Sequence, residues 1–98
     1  MLLLIPVDKK DYEKANIARI NEKNIWVTIK MDNGYIEKYS FFDNKDDIEE
    51  LVDYLIIKDN DDDIEEFLDD GIDVLMAPLQ NDIEEIIEAY KFKELHEI

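Results

Sequence analysis

Residues 25–42 read Ile25-Trp26-Val27-Thr28-Ile29-Lys30-Met31-Asp32-Asn33-Gly34-Tyr35-Ile36-Glu37-Lys38-Tyr39-Ser40-Phe41-Phe42. Two runs rich in β-branched and aromatic residues flank Asn33-Gly34. A two-residue type I′ turn needs positive φ at both central positions, and Asn-Gly accepts that at the least steric cost. The stretch therefore predicts an antiparallel hairpin with strands at 26–31 and 35–42. The rest of the chain must attach to the sheet this hairpin begins.

Upstream, Leu2-Leu3-Leu4-Ile5-Pro6-Val7 is an almost unbroken apolar run closed by Asp8, the pattern of a strand buried on both faces. Downstream, Asn44 stands as an N-cap before Asp46 and Asp47. Ile48, Leu51 and Val52 share one helical face, so a helix is expected over 45–52. Tyr54–Ile57 is short and apolar and predicts another buried strand. Ile64, Phe67 and Leu68 recur at helical spacing and Gly71 stands where a C′ glycine ends a helix, which predicts a second helix over 62–70. Ile72 and Val74–Met76 form a last expected strand before Pro78. Asn81 and Glu84 have capping-box spacing ahead of Ile83, Ile86, Ile87 and Tyr90, which predicts a third helix over 82–96. The expected fold is a single α/β domain over 1–98 with a mixed five-stranded sheet in the order β-β-β-α-β-α-β-α. Residues 9–24 show no clear period and are expected to be irregular.

At 98 residues and 46 % apolar composition the chain has the size and material of one small globule. Eleven Lys and Arg against 27 Asp and Glu leave a net charge of −16. Such a surface repels phosphate backbones and anionic headgroups, so neither nucleic acid nor a membrane surface is an expected partner. The charge is concentrated: residues 43–73 hold 15 acidic and 2 basic groups, whereas residues 1–42 hold 6 and 7. The absence of cysteine removes disulfides, thiolate metal sites and cysteine nucleophiles, and it suits a reducing, cytoplasmic location. The apolar opening is too short for a signal sequence or a membrane span.

Few residues suggest chemistry. Asp59, Asp61 and Asp63 match positions 1, 3 and 5 of a calcium loop, but position 6 is Ile64 instead of Gly and position 12 is Asp70 instead of Glu. An acidic helix N-terminus accounts for the run more simply. His96, the single histidine, is expected in the last turn of the final helix, where a cationic imidazole suits the dipole. Without cysteine no Cys-His set can be built, the single histidine stands in no recognisable triad motif, and no catalytic residue is expected. Trp26, Tyr35, Tyr39, Phe41 and Phe42 read as packing residues of the hairpin. Lys9, Lys10, Lys14, Arg19 and Lys23 crowd the irregular segment, placed to meet an acidic partner or the chain's own acidic third.

Taken in order, Ile5-Pro6-Val7-Asp8, Asp32-Asn33-Gly34, Val52-Asp53, Gly71-Ile72 and Asp82-Ile83-Glu84-Glu85-Ile86-Ile87-Glu88-Ala89-Tyr90 resemble the dinitrogenase iron-molybdenum cofactor biosynthesis family, the NifX and NafY type. That family commonly closes with a helix reading like TVEEAIEAY. The resemblance implies a ribonuclease H-like fold and a role in carrying or building a metal cofactor. It also implies where ligand residues would lie. The family's Ser-x-His-Phe-Gly signature falls on Ile17-Ala18-Arg19-Ile20-Asn21, and its glycine-rich turn falls on residues 58–63, with Lys58 and Asp61 among them. Arg19 replaces the histidine, and a guanidinium has no lone pair for a metal. The turn has no glycine and four aspartates, which oppose an anionic cluster. The expectation is a non-catalytic accessory or binding domain that has lost the ligand chemistry at Arg19, Ile20, Asn21, Lys58 and Asp61, binds no cofactor and no metal, and works through a protein partner. The other possibility is a carrier that holds a metal species by carboxylates.

Overall fold

The computed structural model describes residues 1–22, 25–60 and 63–98. Six strands form one mixed sheet: β1 (Leu2–Val7), β2 (Ile25–Asp32), β3 (Tyr35–Phe42), β4 (Tyr54–Ile57), β5 (Asp73–Met76) and β6 (His96–Glu97). Two helices, α1 (Glu65–Asp69) and α2 (Ile83–Lys91), pack on it. The strand order is β3-β2-β1-β4-β5-β6. Strand β1 pairs antiparallel with β2 and parallel with β4, and β4 pairs parallel with β5. The α/β class and the mixed sheet are as expected; the sheet has one strand more than expected.

The hairpin forms as read. Asn33 and Gly34 sit at φ 53° and 82°, the positive values that a type I′ turn demands. Alternation along the strands divides the core into two layers. Leu3, Ile5, Val27, Ile29, Ile56 and Leu75 face α2 and meet Ile83, Ile86 and Ile87. Leu4, Trp26, Leu55, Ile57 and Val74 face the other way and meet Phe67 of α1.

Three helix expectations change. The helix expected over 45–52 is one 3₁₀ turn, Lys45–Asp47, after which residues 48–53 are irregular. Asn44 does cap that turn, its side chain accepting from the Asp46 N–H. Four acidic side chains within Asp46–Glu50 repel one another, and the end of the segment is drawn to the sheet: the Asp53 N–H donates to the Leu2 carbonyl at 2.9 Å, and the Asp53 carboxylate accepts from the Leu2 N–H at 2.7 Å. A helix this short gives too little back to resist that pull.

The second expected helix keeps only Glu65–Asp69; of its first residues, Asp62 lies outside the described residues. Its end is as read: Gly71 at φ 79° closes a Schellman turn, with the Ile72 N–H donating to the Phe67 carbonyl at 3.0 Å and the Gly71 N–H to the Leu68 carbonyl at 3.0 Å. The third helix starts one residue late and stops five early. Its capping box is Asp82 with Glu85, not Asn81 with Glu84. Lys93 at φ 56° takes the place of a C′ glycine, the Glu94 N–H donates to the Ala89 carbonyl at 2.8 Å, and the chain turns back. His96 and Glu97 then pair with Met76 and Leu75 as β6. His96 therefore lies in an edge strand and not in a helix's last turn.

Candidate functional site

In open α/β sheets, ligands bind outside the carboxyl ends of parallel strands, where loops leave the sheet. Here those ends belong to β1, β4 and β5, followed by the segments 8–22, 58–60 and 77–82. The long segment after β1 is irregular, as expected, but it is well fastened. Asp11 folds it into an Asx turn, its carboxylate accepting from the N–H groups of Glu13 at 3.0 Å and Lys14 at 3.2 Å. Single antiparallel bridges join Ile17 to Val7 and Asn16 to Asp82. The Ala18 N–H donates to the Pro6 carbonyl at 2.9 Å, and the Ile17 N–H to the Asn81 carbonyl at 2.8 Å. Residues 16–19 are thus laid against both the end of β1 and the start of α2.

This placement brings most of the expected ligand positions to one end of the sheet. Arg19 Nη2 lies 2.9 Å from Asp59 Oδ2, an ion pair in which both side chains are partly buried. Lys58 Nζ donates to the Gln80 carbonyl at 2.9 Å and to Asn81 Oδ1 at 3.1 Å. The loop after β1 is therefore tied to the loop after β4, and that loop to the one after β5. Ile20 packs against the Trp26–Phe67 side of the core, whereas Asn21 is exposed. Asp61 lies outside the described residues, as does Lys23 of the basic group. Of the other basic residues, Lys10 reaches Asp43 at 3.0 Å, so Lys10 and Arg19 each neutralise a carboxylate of this same chain.

Gln80 and Asn81 were not expected at the site. Asn81 carries only a capping signal in sequence, and Gln80 carries none. The parallel register that sets Ile57 beside Met76 is what lets Lys58 reach them. Gln80 Oε1 is buried and has no hydrogen-bond partner among the described residues.

Among the described residues, the expected ligand positions offer neither an imidazole nor a thiolate. The position that would offer an imidazole offers a guanidinium already paired with Asp59. Among the described residues, no three His, Cys, Asp or Glu side chains come together to hold a metal ion. Of the carboxylates in the calcium-like run, Asp59 faces Arg19, and Asp63 accepts from the Glu65 N–H at 3.3 Å. Of the hairpin aromatics expected to pack, Phe41 and Phe42 flank the two core layers, but Tyr35 is 75 % exposed because it opens the edge strand β3 beside the turn. Trp26 is buried, with its ring 5.9 Å from that of Phe67, while Tyr39 stacks on Tyr12 at 4.5 Å. Burial raises the Tyr12 phenol above its ordinary value, helped by the charge of Glu84. Two grooves open elsewhere, one of about 690 Å³ beside Tyr54, Tyr90 and Lys93, the other of about 470 Å³ beside Leu51 and Phe67. Among the described residues, no helix is long and apolar enough to cross a membrane.

Against solved structures, the chain matches a proposed dinitrogenase from Methanocaldococcus jannaschii with a TM-score of 0.79 and 17 % identity, over 100 % of this chain and 94 % of that one. The solution structure of the jannaschii protein gives a TM-score of 0.77 at 17 % identity, over 100 % and 92 %. A Thermotoga protein described as a proposed NifB protein of the DUF35 family gives 0.71 at 19 % identity, over 98 % and 91 %. No family model matches the sequence, and no curated protein matches it. The family resemblance read from the residues is thus met at the level of the fold, which is what identities this low carry.

Proposed function

We propose that this chain is a non-catalytic accessory or binding domain related to proteins of nitrogenase cofactor biosynthesis, with its own ligand loops closed, acting in the cytoplasm through contacts with a protein partner. The Arg19–Asp59 ion pair carries the reading. In a carrier, the loops after β1 and β4 must leave donors free for the cargo. Here Arg19 and Asp59, one from each loop, are spent on each other, and Lys58 is spent on Gln80 and Asn81. The names of the structural neighbours support the wider setting.

The test is retention of iron. After anaerobic incubation with ferrous iron and sulfide, followed by gel filtration, elemental analysis is expected to find iron well below one atom per chain. Stoichiometric iron that survives filtration overturns the closed-loop reading and favours a carrier using carboxylates.

A further inference from the structure

We infer that the face covered by α1 is a docking surface for a basic segment of a partner protein, a segment carrying a large apolar side chain among lysines or arginines. The sheet on this side is thinly clothed. Among the described residues, it is covered by the 3₁₀ turn Lys45–Asp47, the irregular strap 48–53 and the five-residue α1, with Ile20, Ile64 and Ile72 packed at its margins. Between strap and helix runs the groove of about 470 Å³, with Ile48, Val52, Phe67 and Ile72 in its walls and Asp46 and Asp70 among its polar residues. Leu51, also in its lining, is 90 % exposed, and Leu68 of α1 is 48 % exposed. A lone exposed leucine is ordinary; one in the wall of a groove that also holds Ile48, Val52, Phe67 and Ile72 adds to an apolar strip that water solvates poorly.

Charge selects the occupant. The segment 43–73 holds 15 acidic residues and 2 basic ones, and of these Asp46, Glu50 and Asp70 line the groove against the single cation Lys45. Both basic residues are engaged, Lys45 with Glu66 and Lys58 with Gln80 and Asn81. Lys45 also lies 5.4 Å from the centre of the Phe67 ring. Glu50 sits 3.8 Å from both Lys30 and Lys38, but Asp47, Glu49, Asp69 and Asp70 enter no ion pair among the described residues. A second copy of the chain, itself at −16, is repelled, and so is any acidic segment. A basic segment gains long-range attraction from the carboxylates and a place for one apolar side chain beside Leu51. The groove beside Tyr90 offers no such choice, since Lys91 and Lys93 share its lining with Glu97.

The inference rests on the reading of the chain as a binding domain, but not on the state of the loops around Arg19; iron retention tests the loops, and the following experiment tests this face. A synthetic amphipathic peptide of leucine and lysine is titrated into the protein by calorimetry and by amide NMR, beside an oligolysine of equal charge. The amphipathic peptide is expected to bind on the order of tenfold more tightly, the worth of partly burying one leucine. Its shifts are expected to centre on 46–52 and 67–72. L51S, at an exposed position, should keep the amide spectrum of the fold and lose most of that tenfold advantage, while D70N should weaken both peptides and flatten their salt dependence. Equal affinity of the two peptides, an unchanged advantage in L51S, or shifts centred beside Tyr90 overturns the inference.

Discussion

The two faces of the sheet are clothed by different means. On one, α2 runs nine residues, opens with a reciprocal Asp82–Glu85 capping box, and buries Ile83, Ile86, Ile87 and Ala89. On the other, α1 runs five residues, has Ile64 at its N-cap with no side-chain hydrogen bond, and buries only Phe67. A nine-residue helix with its N–H groups capped and one stripe of isoleucine brings part of its own stability. A five-residue helix brings almost none, because the first turn fixes several residues for a single hydrogen bond. The second face is therefore covered by tertiary contact alone, and the segment supplying that cover also carries most of the negative charge. The difference teaches that the α2 face carries the more self-sufficient helix, while the α1 face leaves Leu51 and Leu68 exposed.

Replacing Phe67 by alanine probes this contrast most severely. The side chain is buried against Trp26 and is the single buried residue of α1, so a loss of about 3–5 kcal/mol is expected from denaturant unfolding. Amide exchange should show the protection of 65–72 lost far more than that of α2. Equal loss on both faces would break the comparison.

The helix caps give a smaller and more selective test. Asp82→Ala removes the acceptor for the Glu85 N–H, now at 2.8 Å, and should lower stability by about 1 kcal/mol. An effect near zero would mean that packing alone holds α2. At neutral pH the smallest effects belong to the groups that titrate late. Burial raises the phenols of Tyr12 and Tyr90 above their usual value near 10, with added push on Tyr90 from Tyr54 and Asp53; the hydrogen bond to Glu66 raises Lys45 above 10.5. In each case the folded chain holds its proton to higher pH than the unfolded chain does. The stability they contribute is present in full below about pH 10 and is lost as pH rises through the folded values. Melting temperature should accordingly be insensitive to these groups at pH 7 to 9 and fall above pH 10, and Tyr90→Phe should make that fall shallower. An unchanged slope in the variant would show that the α2 face does not hold this phenol neutral.

Much of the fold was legible because it depends on local chemistry. Asn33-Gly34 takes positive φ wherever it meets two β-rich runs, Gly71 ends a helix by the same freedom, and the apolar runs Leu2–Val7 and Tyr54–Ile57 have no stable place but a buried strand. Where local signals were weak, neighbours decided. Asn44 caps a turn, but nothing in 45–52 announces that Asp53 will be held by Leu2 fifty-one positions away and pull the strap straight. At the far end of α2, the helix expected as far as residue 96 stops at Lys91; Lys93 ends it without a glycine, because Leu95 packs against the core and His96 and Glu97 find the open edge of β5.

For the candidate site, the residue types at 19 and 58 already showed that an imidazole and a glycine-rich turn were missing, since the absence of a lone pair or of a glycine is a property of the residue itself. What those residues do instead was decided by the sheet. Arg19 meets Asp59 only because β1 and β4 run parallel side by side, and Lys58 reaches Gln80 and Asn81 only because β4 and β5 do. Hydrophobic alternation and turn geometry act over a few residues and can be read along the chain. An ion pair across forty positions exists only once the strands between have found their register, so the Arg19–Asp59 contact and the short α1 cover belong to the tertiary structure.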